Sequence, residues 1–155
     1  ETNCCYKDST MQESWWNFQT FAEWYYTNKP SCNYALQIDK DLKVPGNKVY
    51  GPDTCTFVPS AINSLFTGWL DNRDLPRGVT VSKLTGRYIA KTNHAEGGLR
   101  RQIHIGTYDT IEEARLAYID YKATIATDVA NRYKDILDPV VYNNLVTDIR
   151  VFIPN

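Results

Sequence analysis

The stretch Leu75–Tyr118, LPRGVTVSKLTGRYIAKTNHAEGGLRRQIHIGTYDTIEEARLAY, constrains the fold more than any other part of this chain. Through Val79–Ser82, Arg87–Asn93 and Gln102–Ile105, apolar and polar residues alternate with the period of a half-covered strand. Thr85-Gly86 and Glu96-Gly97-Gly98 supply turn residues between the three strands. Then the period changes. Thr110-Ile111-Glu112-Glu113 is a capping box, and Ala114, Ala117, Tyr118, Tyr121 and Ile125 follow at helical spacing. Three short strands with one apolar face, followed by a helix with one apolar stripe, predict an antiparallel sheet packed on that helix.

The remainder reads more coarsely. Trp15, Phe18, Ala22 and Tyr25 stand at helical spacing, with Phe21 and Trp24 beside them, which predicts an aromatic-rich helix over 14–26 with its rings in the core. Residues 34–38 and Cys55–Val58 read as strands, separated by the turn signals Pro45-Gly46-Asn47 and Gly51-Pro52-Asp53. Pro59 suits the first turn of a short helix over Ser60–Phe66. Gly68–Leu75 is polar and reads as a linker. After the Thr110 helix comes a further helix pair split by Asp138-Pro139, and Arg150–Ile153 closes the chain as a candidate strand.

Hydrophobic residues make up 43% of the 155, which argues for a folded core, and the net charge of −1 gives no global pull toward a polyanion. The cations are local. Arg73, Arg77, Lys83, Arg87, Lys91, Arg100 and Arg101 face only Asp74 and Glu96 within 73–104, whereas residues 1–68 contain no Arg. No apolar run approaches a membrane span and no signal peptide is visible, so no membrane partner is expected. The chain opens on Glu1 without Met, as a processed product or a fragment does. Cys4, Cys5, Cys32 and Cys55 form no CxxC pair and have no His among them, which favours free thiols in a reducing cytosol over a zinc site.

Alternation divides the strands into two faces. Val79, Val81, Tyr88, Ala90, Thr92, Ile103 and Ile105 fall on the side expected to meet the helix, with Arg101 in the same parity. Thr80, Ser82, Arg87, Lys91, Asn93, Arg100, Gln102 and His104 fall on the other. Any half-exposed antiparallel sheet is polar outside. This particular set also matches what reads a duplex: cations for phosphates and guanine, amides for adenine, hydroxyls for the backbone.

Four ordered motifs carry a resemblance. Pro76-Arg77-Gly78-Val79, Gly86-Arg87-Tyr88-Ile89-Ala90, Ile103–Thr110 and Glu112–Tyr118 resemble the DNA-binding domain of plant ethylene-response and APETALA-type transcription factors. The resemblance implies major-groove docking by the three-stranded sheet, with contacts at Arg77, Thr80, Ser82, Arg87, Lys91, Asn93, Gln102 and His104. That family usually has Trp where His104 stands and Arg where Gln102 stands, so a different target sequence is expected.

The first half is similar to phage-encoded proteins grouped with His-Asn-His (HNH) homing endonucleases, many of which carry the same module behind it. The matching residues are Trp16–Tyr25, Ile38-Asp39-Lys40-Asp41, Gly46–Tyr50, Pro52–Pro59 and Ile62-Asn63. A nuclease of that kind builds its site from two strands and a helix around one divalent metal, with a His as base. The strand–strand–helix order is present at 34–66, but both histidines, His94 and His104, lie in the second half. The base position falls within Asp39-Lys40-Asp41. Asp39 and Asp41 are therefore the candidate catalytic residues, and Asp39 with Asn63 the candidate ligands for Mg2+ or another divalent metal. The competing reading makes both aspartates turn caps and Asn63 a loop anchor.

The expectation is an α+β protein in three parts. Residues 1–70 form a degenerate HNH-like segment, 75–125 the sheet module, and 126–155 a C-terminal helical extension packed behind that module. The expected function is sequence-preferring binding of double-stranded DNA by a phage protein in the cytoplasm of its bacterial host. Two alternatives stand beside it: an active metal-dependent DNA endonuclease, and a protein–protein interaction factor on an inactive nuclease scaffold, with a host or phage protein as partner.

Overall fold

A computed structural model of the chain describes residues 8–66, 74–96, 99–147 and 149–152. The architecture is α+β, with two compact units: Glu1–Leu70 with Ala126–Pro154, and Asp71–Ile125. The C-terminal residues thus group with the first seventy. The linker expected over Gly68–Leu75 and the turn at Glu96–Gly98 lie largely outside the described residues.

In the first unit, β1 (Thr10–Met11) pairs in parallel with β3 (Val49–Tyr50), a contact too short to read from the sequence. The expected strand pair is present as β2 (Leu36–Asp39) and β4 (Thr56–Pro59), antiparallel from Leu36↔Pro59 to Asp39↔Thr56. α2 (Ser60–Asn63) follows directly and ends earlier than the expected Phe66. β4 is buried along its whole length, and Ile62 of α2 is fully enclosed.

The aromatic helix departs from its expected phase. Glu13–Trp16 is a 3-10 turn, and α1 (Phe18–Asn28) starts only after Asn17. Asn17 leaves helical backbone geometry to cap α1, its Oδ1 accepting the Gln19 N–H at 2.9 Å. The spacing of Trp15 therefore does not carry through to Phe18, which is 71% exposed. Trp15 itself is core, with its ring 5.1 Å from Phe21 and 4.7 Å from Trp24, and Trp24 and Tyr25 pack on Phe57.

α3 (Ile111–Arg132) contributes its residues from Ala126 onward to this unit. α4 (Pro139–Thr147) begins at Pro139, whose missing N–H costs nothing in a first turn, and Asp138 Oδ1 accepts the Val140 N–H at 2.8 Å. Val141 and Leu145 are buried, Asn144 Nδ2 donates to the Leu42 and Lys43 carbonyls at 3.0 and 3.3 Å, and Lys43 pairs with Asp138 at 3.2 Å. These bonds tie the C-terminal helix to the first unit. The strand expected over Arg150–Ile153 is instead a 3-10 turn, Ile149–Phe152. A strand there needs a ladder partner for its backbone groups; the turn satisfies them locally and buries Ile149.

In the second unit β5 (Val79–Val81), β6 (Tyr88–Glu96) and β7 (Leu99–Tyr108) form an antiparallel sheet in that order. Val79, Ala90, Ala114, Tyr118 and Ile119 are its buried core. The capping box is formed: Glu113 N–H donates to Thr110 Oγ1 at 3.2 Å, and Thr110 N–H to Glu113 Oε2 at 3.1 Å. Gly78 has φ +78°, and a Cβ there would fall inside the Tyr118 ring, so only glycine lets the β5 entry lie against α3. Among the described residues, no helix is long and apolar enough to cross a membrane.

Candidate nucleic-acid interface

Register decides which side chains share a face. β5 and β6 pair as Val79↔Ala90, Thr80↔Ile89 and Val81↔Tyr88, and β6 continues against β7 through Ala90↔Gly106. The next pair is Lys91↔His104, so one extra β7 residue, Ile105, sits at a bulge. The bulge has a chemical consequence. Plain alternation counted back from Gly106, opposite buried Ala90, would turn His104 and Gln102 toward α3. The extra residue reverses the count, so Lys91↔His104 and Asn93↔Gln102 become in-register pairs on the outer face. His104 Nε2 lies 3.4 Å from Thr107 Oγ1 on that same side.

Asn93, Gln102 and His104 are exposed, and Thr80 and Lys91 half-buried. Together they form a polar face opposite the Val79–Ala90 core. Thr107 belongs to this face but escapes a reading that ends the third strand at Ile105; unbroken alternation would give it the parity of Ile103, and only the bulge turns it outward. Arg101 shares the parity of Ile103, yet it is exposed.

The remaining three predicted contacts sit elsewhere. Ser82 falls just beyond β5, and its hydroxyl accepts the Thr85 N–H at 3.3 Å, which closes the hairpin whose Gly86 has φ +70°. Arg87 is exposed at that hairpin's exit, its Nε held by Asp109 Oδ1 at 2.6 Å. Asp109 is a partner the sequence did not reveal, since it lies 22 residues away. Arg77 is half-buried, close enough to Lys122 on α3 for its charge to be felt there. Burial first, and the Arg77 guanidinium second, push the Lys122 ammonium down to about 8.

The Asp39 region is organised differently. Asp39 Oδ1 accepts the N–H groups of Asp41 and Leu42 at 2.9 and 2.8 Å, capping the turn that leaves β2. Asp41 pairs with Lys40 at 3.1 Å. Asp39 is buried, and desolvation, followed by the neighbouring Asp41 charge, pushes its carboxyl up from 3.8 to about 6. Burial likewise raises the Cys55 thiol. Asn63 Nδ2 donates to Gln37 Oε1 at 2.8 Å. Asp39 Oδ1 thus accepts from backbone and the Asn63 amide nitrogen donates to Gln37; no three His, Cys, Asp or Glu side chains gather among the described residues. A cavity of about 220 Å3 in this unit is lined by Trp24, Pro52, Phe57 and the Lys43–Asp138 pair, and none of the predicted site residues lines it.

No family model, curated protein or solved structure matches the chain.

Proposed function

We propose that this chain is a phage duplex-DNA-binding protein with a sequence preference, docking through the outer face of the β5–β6–β7 sheet. The observation that carries the reading is the pair of in-register rows Lys91↔His104 and Asn93↔Gln102, on the face opposite the core. They set a cation, an imidazole and two amides side by side on strand backbone, where the ladder register fixes their spacing. Arg87, steadied by Asp109, lies at the hairpin end of the same sheet and suits a phosphate. The chain's cations crowd this unit although its overall charge is −1.

The test is a titration of labelled duplexes with the whole chain. Arg87→Ala with Lys91→Ala weakens binding at least about tenfold, as loss of two phosphate or base contacts would. Unchanged affinity in that double variant removes the docking face.

A second reading is phosphodiester cleavage with Asp39 as general base. Its support is the raised proton affinity of that carboxyl, since a base works best when its pKa is near the operating pH. Nicking of supercoiled plasmid in Mg2+ or Mn2+, lost in Asp39→Asn, is its expected result. Plasmid left intact across a screen of divalent metals overturns it.

A further inference from the structure

We propose that Asn93 and Gln102 jointly read two adjacent A·T base pairs in the major groove, so that an A·T doublet forms the heart of the target. The inference rests on the docking reading above and deepens it. The β5–β6 ladder pairs Tyr88, Ile89 and Ala90, and the Lys91 N–H closes it on the Gly78 carbonyl at 2.7 Å. From Lys91↔His104 to Glu96↔Leu99 the strands β6 and β7 run on as a two-stranded ribbon. A ribbon of two strands is the β-structure that the major groove, about 12 Å wide, admits.

Within that ribbon Asn93↔Gln102 is an outward pair made of two amides. Both residues are exposed, and neither side-chain amide is engaged by another described residue, so both can meet a ligand. A carboxamide presents a donor and an acceptor in one plane. Adenine alone among the bases offers the complement on its major-groove edge, an N7 acceptor beside an N6 donor; guanine shows two acceptors there. In-register side chains on one face have Cβ atoms about 5 Å apart. Base pairs along the duplex are about 3.4 Å apart. Two such amides therefore span neighbouring base pairs with little convergence. The Lys91↔His104 row lies two residues away, about 6.6 Å along the strands. A Lys there suits guanine O6 and N7 or the adjoining phosphate.

The experiment is selection of bound duplexes from a random pool by the whole chain, followed by titrations. Recovered sites share adjacent A·T pairs. Changing either pair to G·C weakens binding about tenfold, and so does replacing its adenine by 7-deazaadenine, which lacks N7. Asn93→Ala with Gln102→Ala erases the distinction between selected and unrelated duplexes, because the phosphate contacts that remain carry no sequence information. Asn93→Asp, which keeps the side chain's shape but turns its donor into an acceptor, also loses the distinction. Unchanged thermal melts of these surface variants separate lost recognition from lost fold. Selected sites without an A·T doublet, or a double variant that keeps its preference, overturn this inference and leave duplex binding standing. Failure of the chain to retain any duplex overturns the docking face and the inference together.

Discussion

Asp39 shows how much one buried carboxyl can govern. Its two backbone hydrogen bonds favour the ionised form, but burial and the charge of Asp41 outweigh them. Folded, it holds its proton to about pH 6; unfolded, it loses the proton near 3.8. Between those values the folded chain carries a proton that the unfolded chain has shed, so rising pH drains stability across that window. Asn keeps the Oδ1 acceptor for Asp41 and Leu42 and carries no charge. Asp39→Asn is therefore expected to match the parent chain near pH 4 and to exceed it by up to about 3 kcal/mol at pH 8. Urea melts at the two pH values check this; an equal change at both would show that the charge is irrelevant. Gly78 makes the opposite case, a residue defined by what it lacks. A Cβ at Gly78 meets the Tyr118 ring on a backbone with φ +78°, so Gly78→Ala combines left-handed strain with overpacking. The expected loss is about 2–4 kcal/mol, read from the same melts. A stability within about 0.5 kcal/mol of the parent would mean that the ring moves aside freely.

At the scale of elements, legibility tracked how local the cause was. The α3 start was visible because a capping box is four residues talking to each other, Thr110 to Glu113. Thr110→Ala is expected to cost about 1 kcal/mol of stability while leaving the outer face of the sheet untouched. A melt shifted downward with unchanged affinity for duplex at low temperature is the expected pair of results, and affinity falling in step with a change in the native fold would contradict it. The hairpin at Thr85-Gly86 was equally local, and the strand faces followed from alternation counted within each strand. What alternation did not reveal was the Ile105 bulge, because a bulge is defined by the partner strand rather than by its own sequence. The same limit applied to α1. Trp15 and Phe18 fit one helical stripe on paper, but Asn17 interrupts the backbone between them and turns Phe18 outward. The closing segment Arg150–Ile153 has strand-like composition, yet helical turns follow α4 and seat Ile149 in the core. The candidate site divides along the same line. The outward row from Lys91 to His104 was readable, while the Arg87–Asp109 and Asn63–Gln37 contacts join residues more than twenty positions apart and needed the fold to appear.

For the whole molecule, the proposed function raises the question of how a chain of net charge −1 would hold a polyanion. Long-range attraction is negligible at that charge, so the proposed binding would have to come from contacts made at the surface of the second unit. Each phosphate neutralised there releases counterions and steepens the fall of affinity with salt by about 0.9 in the logarithmic slope. Arg87 and Lys91 are cations of this unit with exposed or half-exposed side chains, and Lys83 lies on the first hairpin. Two to three such contacts predict a slope of about −2 to −3. Arg87→Ala with Lys91→Ala should flatten that slope by about 2 if both groups meet phosphate, and by about 1 if Lys91 instead meets a base edge. Lys48, paired with Asp8 at 3.1 Å in the first unit, gives the contrast: Lys48→Ala lowers the net charge by one but touches none of these contacts. Its slope is expected to equal that of the parent chain across 50–300 mM NaCl, by about the precision of the fit. Equal flattening by the Lys48 change and by a single change at Lys91 would show that bulk charge, and not the sheet face, governs the affinity.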